Sequence, residues 1–125
     1  MSRATEEFFA ALPARAPAVL RAPVTGTLQI DLLTDDHTDH WLVRISPGRA
    51  VVERASGPAD AVWNSSADLF ERLVTGRAQG VSAVLRNEST FSGNVMLFLV
   101  FRRFFPAPPG VRDPRETARE QTGRA

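Results

Sequence analysis

Hydrophobic residues alternate with other residues through successive segments between residues 26 and 63, and this period of two constrains the fold more than any other feature. A β-strand places successive side chains on opposite faces, so the alternation predicts half-buried strands. Polar or Gly/Pro-containing turns separate the segments, for example at residues 46–48. The first two strands are carried by Leu28, Ile30 and Leu32, and by Trp41, Val43 and Ile45.

The sequence predicts three further strands, of which only residues 59–63 repeat the alternation. We expect them over residues 50–54, 59–63 and 88–92, with Phe91 as the main apolar residue of the last. Because the first four are joined by short turns, the sequence predicts an antiparallel meander.

Helical spacing appears on both sides of the strands. Thr5 is a candidate cap for an N-terminal helix that Pro13 ends. Ser65 is a candidate cap for a second helix, and Gly76 is suited to stop it. Two more helices are predicted over residues 81–86 and 95–105.

The pattern divides the chain of 125 residues into one folded unit with flanking segments. Residues 1–25 are predicted to form a helix and a connector rich in Pro and Ala. Residues 26–106 form the domain, and residues 107–125 form a polar tail expected to be mobile.

The composition excludes several kinds of chemistry. All 15 basic residues are Arg, and the chain has no Cys, Lys or Tyr, which excludes a thiolate, a Schiff-base lysine and a phenolic acid. The pI of about 9.0 accompanies a net charge of only +1, which does not indicate nucleic-acid binding. No apolar run approaches the roughly 20 residues of a membrane span, and no secretory signal is apparent. We therefore expect a cytoplasmic protein, and Arg-only usage with abundant Ala and Pro is typical of a GC-rich bacterial genome.

Residues 35–40 are the one dense group of potential metal ligands or catalytic side chains. They include His37 and His40, but no further His or Cys completes a coordination shell. Ser82 lacks the second Gly of a nucleophile elbow, so a Ser–His–Asp triad has no support. We predict a solvated loop, no metal, no cofactor and no enzymatic activity.

The last helix is apolar well beyond a single stripe, since it carries four Phe and one Met within residues 96–105. This composition suits either a buried core helix or the wall of an apolar cavity. Val95 and Leu99 share the remaining side with Arg102 and Arg103. That side is suited to contact an anionic membrane or a partner, or to be covered by the N-terminal helix through Phe8, Phe9 and Leu12.

The order of these elements resembles the sterol carrier protein type 2 lipid-transfer family, in its small bacterial form. The resemblance covers about residues 26–106. It is carried by residues 26–31, 41–45, 48–52, 59–61, 70–76 and 91–94 in that order.

The resemblance implies an α+β fold with a five-stranded, mostly antiparallel sheet and helices packed on one face. An apolar tunnel between the two layers would hold a fatty acid, an acyl-CoA or a sterol. Residues 86–91 lack the family's frequent basic segment, which puts acyl-CoA phosphate recognition in doubt. The implied ligand-binding residues are Phe70, Leu73, Val84, Phe91, Met96, Leu97, Val100, Phe101 and Phe104.

Two functions from different classes remain open at this stage. The first is non-enzymatic lipid binding and transfer, with Arg102 and Arg103 touching an anionic membrane. The second is a ligand-free accessory or dimerisation domain that works with an enzyme. An open tunnel favours the first function, and an interior filled by the protein's own Phe side chains favours the second.

Overall fold

The computed structural model of the chain describes residues 2–77 and 89–106. In this part of the chain three α-helices accompany a five-stranded sheet with the strand order β3-β2-β1-β4-β5. The predicted helix at residues 81–86 and the predicted tail at residues 107–125 lie outside the described residues. The elements are α1 (Arg3–Val19), β1 (Gly26–Leu33), β2 (Thr38–Ser46), β3 (Arg49–Glu53), β4 (Ala61–Ser66), α2 (Ala67–Val74), β5 (Ser89–Gly93) and α3 (Val95–Phe101), followed by a 3₁₀ turn (Arg102–Phe104).

The α+β class and the mostly antiparallel sheet are confirmed, but the prediction of a four-strand meander is wrong. β1, β2 and β3 form an antiparallel meander, whereas β4 leaves β3 and pairs with β1 in parallel. The connection after β3 runs back along β1. There Gly57 N donates to Gln29 Oε1, and Asp60 N donates to the Thr27 carbonyl. The Asp60 carboxylate in turn accepts from Thr27 N at 2.8 Å. These long-range bonds, which short turns do not reveal, place β4 beside β1.

The alternation in sequence becomes the two faces of the sheet. Ile30 pairs with Trp41 on one side and with Trp63 on the other, so the three side chains lie on one face. This is the face on which the helices pack. Its buried residues are Leu28, Ile30, Leu32, Trp41, Val43, Ile45, Ala50, Ala61, Trp63, Ser65 and Ser89.

α1 does not end at Pro13, as the sequence predicted, but continues to Val19 with Pro13 and Pro17 inside it. Each proline removes one backbone hydrogen bond from the helix interior. Burial compensates for this loss, because Leu12 and Ala16 are fully buried. The helix also starts earlier than predicted: Ser2, not Thr5, is the N-cap, and its hydroxyl accepts from Thr5 N at 3.2 Å.

α2 begins one residue later than expected. Ser66 is the N-cap and accepts from Leu69 N at 3.1 Å, while Ser65 is a buried residue of β4 that faces the helices. The predicted stop at Gly76 is confirmed. Gly76 has φ +76° and donates to the Leu73 carbonyl, and Arg77 N donates to the Arg72 carbonyl. This arrangement is a Schellman motif.

α3 is shorter than its predicted range, because the α-helix ends at Phe101 and tightens into the 3₁₀ turn. Asn94 caps its start by accepting from Met96 N at 3.0 Å. Gly93 joins β5 to this cap with φ +95°, and a Cβ there would lie 2.3 Å from the Asp60 carbonyl oxygen. Only glycine fits this junction, which places the start of α3 beside the first residue of β4.

Candidate functional site

Aromatic rings fill the layer between the sheet and the three helices. Trp63 of β4 lies 5.2 Å from the Phe98 ring and 5.7 Å from the Phe70 ring, with edge-to-face geometry in both pairs. Phe9 of α1 stacks on Phe70 at 5.3 Å. We call this group the aromatic cluster; it comprises Phe8, Phe9, Trp41, Trp63, Phe70, Phe98, Phe101 and Phe105.

The described residues among those predicted to bind the ligand lie on α2, β5, α3 and the 3₁₀ turn. Phe91 is half-buried, and its ring lies 5.3 Å from that of Phe98. Met96 is 45% exposed and lies at the surface end of α3. Val84 lies outside the described residues. The other predicted ligand residues are buried: Phe70, Leu73, Leu97, Val100, Phe101 and Phe104.

The only polar atoms on the rings of the described cluster are the indole nitrogens of Trp41 and Trp63. The Trp63 indole donates to Ser89 Oγ at 3.0 Å, and this bond satisfies both buried groups. An environment of this kind favours apolar molecules.

A separate groove of about 340 Å³ lies on the sheet, near the start of β1. Thr27, Arg44 and Val51 line it, and the strand register places them on the face away from the helices. The groove is open and partly polar. None of the predicted ligand residues lines it, so the groove is separate from the predicted lipid site.

Arg54 lies at the other end of the helix-facing side, directly after β3, and no sequence pattern indicated its role. Its guanidinium lies 3.1 Å from the Asp39 carboxylate and 3.6 Å from the Glu6 carboxylate of α1. It also lies over the Trp41 ring, 5.2 Å from the ring centroid. These contacts join α1, β2 and the end of β3. They are long-range, so no local sequence signal reports them.

Residues 35–40 do not form one cluster, because Asp39 and Asp31, which contact His37 and His40, lie on opposite faces of the sheet. His37 contacts Asp36 at 2.9 Å and Asp39 at 3.2 Å, whereas His40 contacts Asp31 at 2.7 Å on the opposite face. Within residues 2–77 and 89–106, no group of three or more His, Cys, Asp or Glu is arranged to hold a metal. The absence of a metal site stays a prediction.

The His37 contacts shift the ionisation of the group. Hydrogen bonding to Asp36 raises the pKa of His37, with a further contribution from the charge of Asp39. The same contact lowers the pKa of Asp36. Burial on its own raises the pKa of Asp39, but the bonds and charges of Arg54 and His37 outweigh burial and lower it.

Arg102 and Arg103 lie exposed on the 3₁₀ turn. Near the start of α3, Val95 is 53% exposed, and Leu99 is half-buried. α1 therefore does not cover Val95, although Phe8 does stack on Phe105 at 5.3 Å. None of the helices in the described part of the chain is long and apolar enough to cross a membrane.

A mixed sheet with helices packed on one face, enclosing an apolar aromatic layer, defines an α+β protein of the sterol-carrier type. The sequence profile of the SCP-2 sterol transfer family matches residues 8–106. The chain therefore belongs to this family. A search of curated proteins returned no match.

Solved structures show the same fold at low sequence identity. The chain is similar to sterol carrier protein 2 of Aedes aegypti in complex with palmitate, with 18% identity, 83% of this chain and 96% of that chain covered, and a TM-score of 0.65. It is also similar to a conserved hypothetical protein of Thermus thermophilus, with 17% identity, 83% and 82% covered, and a TM-score of 0.62. A UbiJ-SCP2 ubiquinone synthesis protein is similar at 14% identity, with 80% and 94% covered and a TM-score of 0.57.

Proposed function

We propose that the chain is a non-enzymatic lipid carrier that binds one long apolar ligand, such as a fatty acid or a sterol. The observation that carries this proposal is the apolar aromatic layer between the sheet and the helices, in a chain of the SCP-2 family. The Aedes aegypti protein of the same fold was solved with palmitate. Transfer of apolar surface from water contributes about 25 cal/mol per Å², so an acyl chain binds firmly without many polar contacts.

The proposed ligand contacts are the side chains predicted from the sequence. Phe70 and Leu73 would contact the ligand from α2, Phe91 from β5, and Leu97, Val100, Phe101 and Phe104 from α3 and the turn after it. The exposed Met96 would lie where the ligand enters, because its flexible side chain adapts to different apolar shapes. Val84 completes the proposed set.

A direct test is binding of a fluorescent fatty acid to the purified chain. We expect saturable binding of one probe per chain and displacement by unlabelled palmitate. Native mass spectrometry of the protein as purified would identify a lipid that copurifies. A folded protein that shows no saturable binding and carries no lipid would contradict the proposal.

The second candidate is an accessory or dimerisation domain that works with an enzyme and binds no lipid. The observation in its favour is the packing of Phe8 and Phe9 against Phe70, which fills part of the interior with the protein's own rings. The similarity to a ubiquinone synthesis protein is in keeping with such a role. Native mass spectrometry distinguishes the two, because a dimer without bound lipid supports the accessory role.

Lipid delivery would take place at a membrane surface. We propose that Arg102 and Arg103 attract anionic lipids while Val95 and Met96, both exposed, contact the apolar boundary. The proposed location of the protein is the cytoplasm.

A further inference from the structure

Two neighbouring side chains of α1, one a carboxylate and one an aromatic ring, contact side chains of the sheet and of the residue after β3. The Glu6 carboxylate lies 3.6 Å from the Arg54 guanidinium. The ring of Phe9 lies 4.1 Å from that of Trp41 and nearly parallel to it. Residues three apart on a helix are neighbours on its surface, so these two contacts lie side by side. A fatty acid likewise combines a carboxylate with an apolar group.

Trp41 has an unsatisfied hydrogen-bond donor at this place. Its side chain is 8% exposed, and its indole Nε1 is buried with no acceptor among the residues the structure describes. The indole of Trp63, in contrast, donates to Ser89. A buried donor without an acceptor lowers stability, so a ligand that supplies an acceptor gains a hydrogen bond there.

Arg54 contacts two carboxylates, one from the sheet and one from α1, and a ligand carboxylate can take the place of the one from α1. Asp39 belongs to β2, so its pair with Arg54 does not depend on the position of α1. Glu6 belongs to α1. A ligand carboxylate that replaces Glu6 leaves the local net charge unchanged, so the replacement requires no new buried charge.

α1 is also weakened next to Phe9. Residue 13 would normally donate its backbone N–H to the Phe9 carbonyl, but residue 13 is a proline and has none. The half of α1 that carries Glu6 and Phe9 is therefore joined to the rest of the helix with one hydrogen bond fewer. This lowers the cost of moving that half away from the sheet.

We propose that Trp41, Arg54 and Phe70 form the head-group end of the lipid site and bind a long-chain carboxylate, and that Glu6 and Phe9 occupy this end when no ligand is bound. The carboxylate accepts from Trp41 Nε1 and pairs with Arg54, and the acyl chain passes Phe70 into the aromatic cluster. This inference rests on the proposed function, because it assumes that the cluster receives the chain. It narrows the ligand to a long-chain carboxylate, and it identifies the segment of α1 that competes with this ligand.

The test compares the affinities for palmitate and for hexadecanol, which has the same chain length but no charge. In the wild type palmitate exchanges one ion pair for another, whereas hexadecanol only breaks the Glu6–Arg54 pair. We expect palmitate to bind about two- to fivefold more tightly than hexadecanol, the range of a half-exposed ion pair. Arg54→Gln should abolish this preference. Arg44→Gln should keep it, since Arg44 is as exposed and is paired with Glu53 on the other face.

Glu6→Gln tests the competition separately. It should raise the affinity for both ligands by about two- to fivefold, because no pair is then lost on binding. The control Glu7→Gln, which removes an exposed partner of Arg3, should raise neither. A preference for palmitate that survives Arg54→Gln, or equal affinities for Glu6→Gln and Glu7→Gln, would overturn the inference and leave the carrier function intact.

Indole NMR signals give a second measurement that does not depend on the variants. On addition of palmitate, the Trp41 indole proton should shift downfield as it gains an acceptor, while the Trp63 indole keeps its bond to Ser89. A shift of Trp63 alone would place the ligand away from Arg54 and refute the head-group site. If wild type binds neither palmitate nor hexadecanol, the proposed function fails, and this inference fails with it.

Discussion

The rings of Phe9 and Trp41 stack with their centroids 4.1 Å apart and their planes 7° from parallel, which joins the N-terminal helix to the second strand. Phe9 is 1% exposed and also stacks on Phe70. One side chain of α1 thus contacts both the sheet and α2. The helix contributes side chains to the hydrophobic core that the sheet and α2 form.

We expect Phe9→Ala to lower the free energy of unfolding by about 3–5 kcal/mol, because it removes a fully buried ring and leaves a cavity. Chemical denaturation of the variant and the wild type measures the difference. Leu33→Ala, at a position 46% exposed, is the control and should change stability by less than about 1 kcal/mol. Equal losses for the two variants would contradict the position of α1.

Gly93→Ala should be strongly destabilising, by at least about 2 kcal/mol, for two reasons. The backbone at Gly93 has φ +95°, and the new Cβ would meet the Asp60 carbonyl oxygen at 2.3 Å. Gly48→Ala is a matched control, because Gly48 has φ +71° but open space around the new atom. It should cost only about 1 kcal/mol. A thermal or urea unfolding series that ranks the two variants the other way would be inconsistent with the β5–α3 junction.

The raised pKa of His37 predicts a loss of stability at alkaline pH. The favourable contacts of protonated His37 are complete below its ordinary pKa of 6.5 and disappear as pH rises through the raised value. The lowered pKa values of Asp36 and Asp39 affect stability at acidic pH. The stabilisation from the two ionised carboxylates is lost as pH falls below about 3.8.

Urea denaturation at intervals between pH 4.5 and pH 9, chosen as roughly the window of these groups, provides the measurement. The stability difference between wild type and His37→Gln should be greatest near pH 5 and should vanish towards pH 9. A difference independent of pH over this interval would show that His37 does not form these pairs in solution.

The double variant of Arg102 and Arg103 to Gln should slow lipid delivery to anionic vesicles and leave delivery to neutral vesicles unchanged. Each Arg contributes about 1 kcal/mol near an anionic surface, so the two together correspond to a change of up to about 30-fold at low salt. Added salt should weaken delivery by the wild type in the same way.

The matched control for this prediction is Arg44 and Arg49 to Gln, which removes two exposed Arg from β2 and β3. Its transfer rates should equal those of the wild type on both vesicle types. Identical rates for the two double variants would remove the specific role of the Arg102–Arg103 pair.

The local parts of the fold were predictable, because they depend on short-range patterns. The predicted strands lie within a few residues of their observed bounds, and for β1, β2 and β4 this follows from alternation, which requires only neighbouring residues. Caps depend on more than local sequence: Ser65 and Ser66 are adjacent, and the hydrogen bond from Leu69 N, together with the burial of Ser65, identifies Ser66 as the cap. Pro13 does not end α1, because tertiary packing holds the helix together around it.

The long-range relationships could not be predicted from these patterns. The parallel pairing of β1 with β4 depends on bonds from Gly57 and Asp60 to β1. The contacts among Glu6, Arg54 and Trp41 link residues far apart in the chain. The apolar character of α3 was evident from its composition, but its neighbours in the aromatic cluster were not.

The parallel pairing of β1 with β4 also bears on how the chain folds. β1 lies between β2, which follows it in sequence, and β4. Between β2 and β4 the chain contains β3 and the segment that crosses back along β1. A hairpin of β1 and β2 can form early from local contacts, but the second edge of β1 remains unpaired until a loop of nearly 30 residues closes. We therefore expect folding to be slower than in a simple meander. Because both halves of the chain share β1 as their central strand, we expect them to unfold together in one cooperative transition.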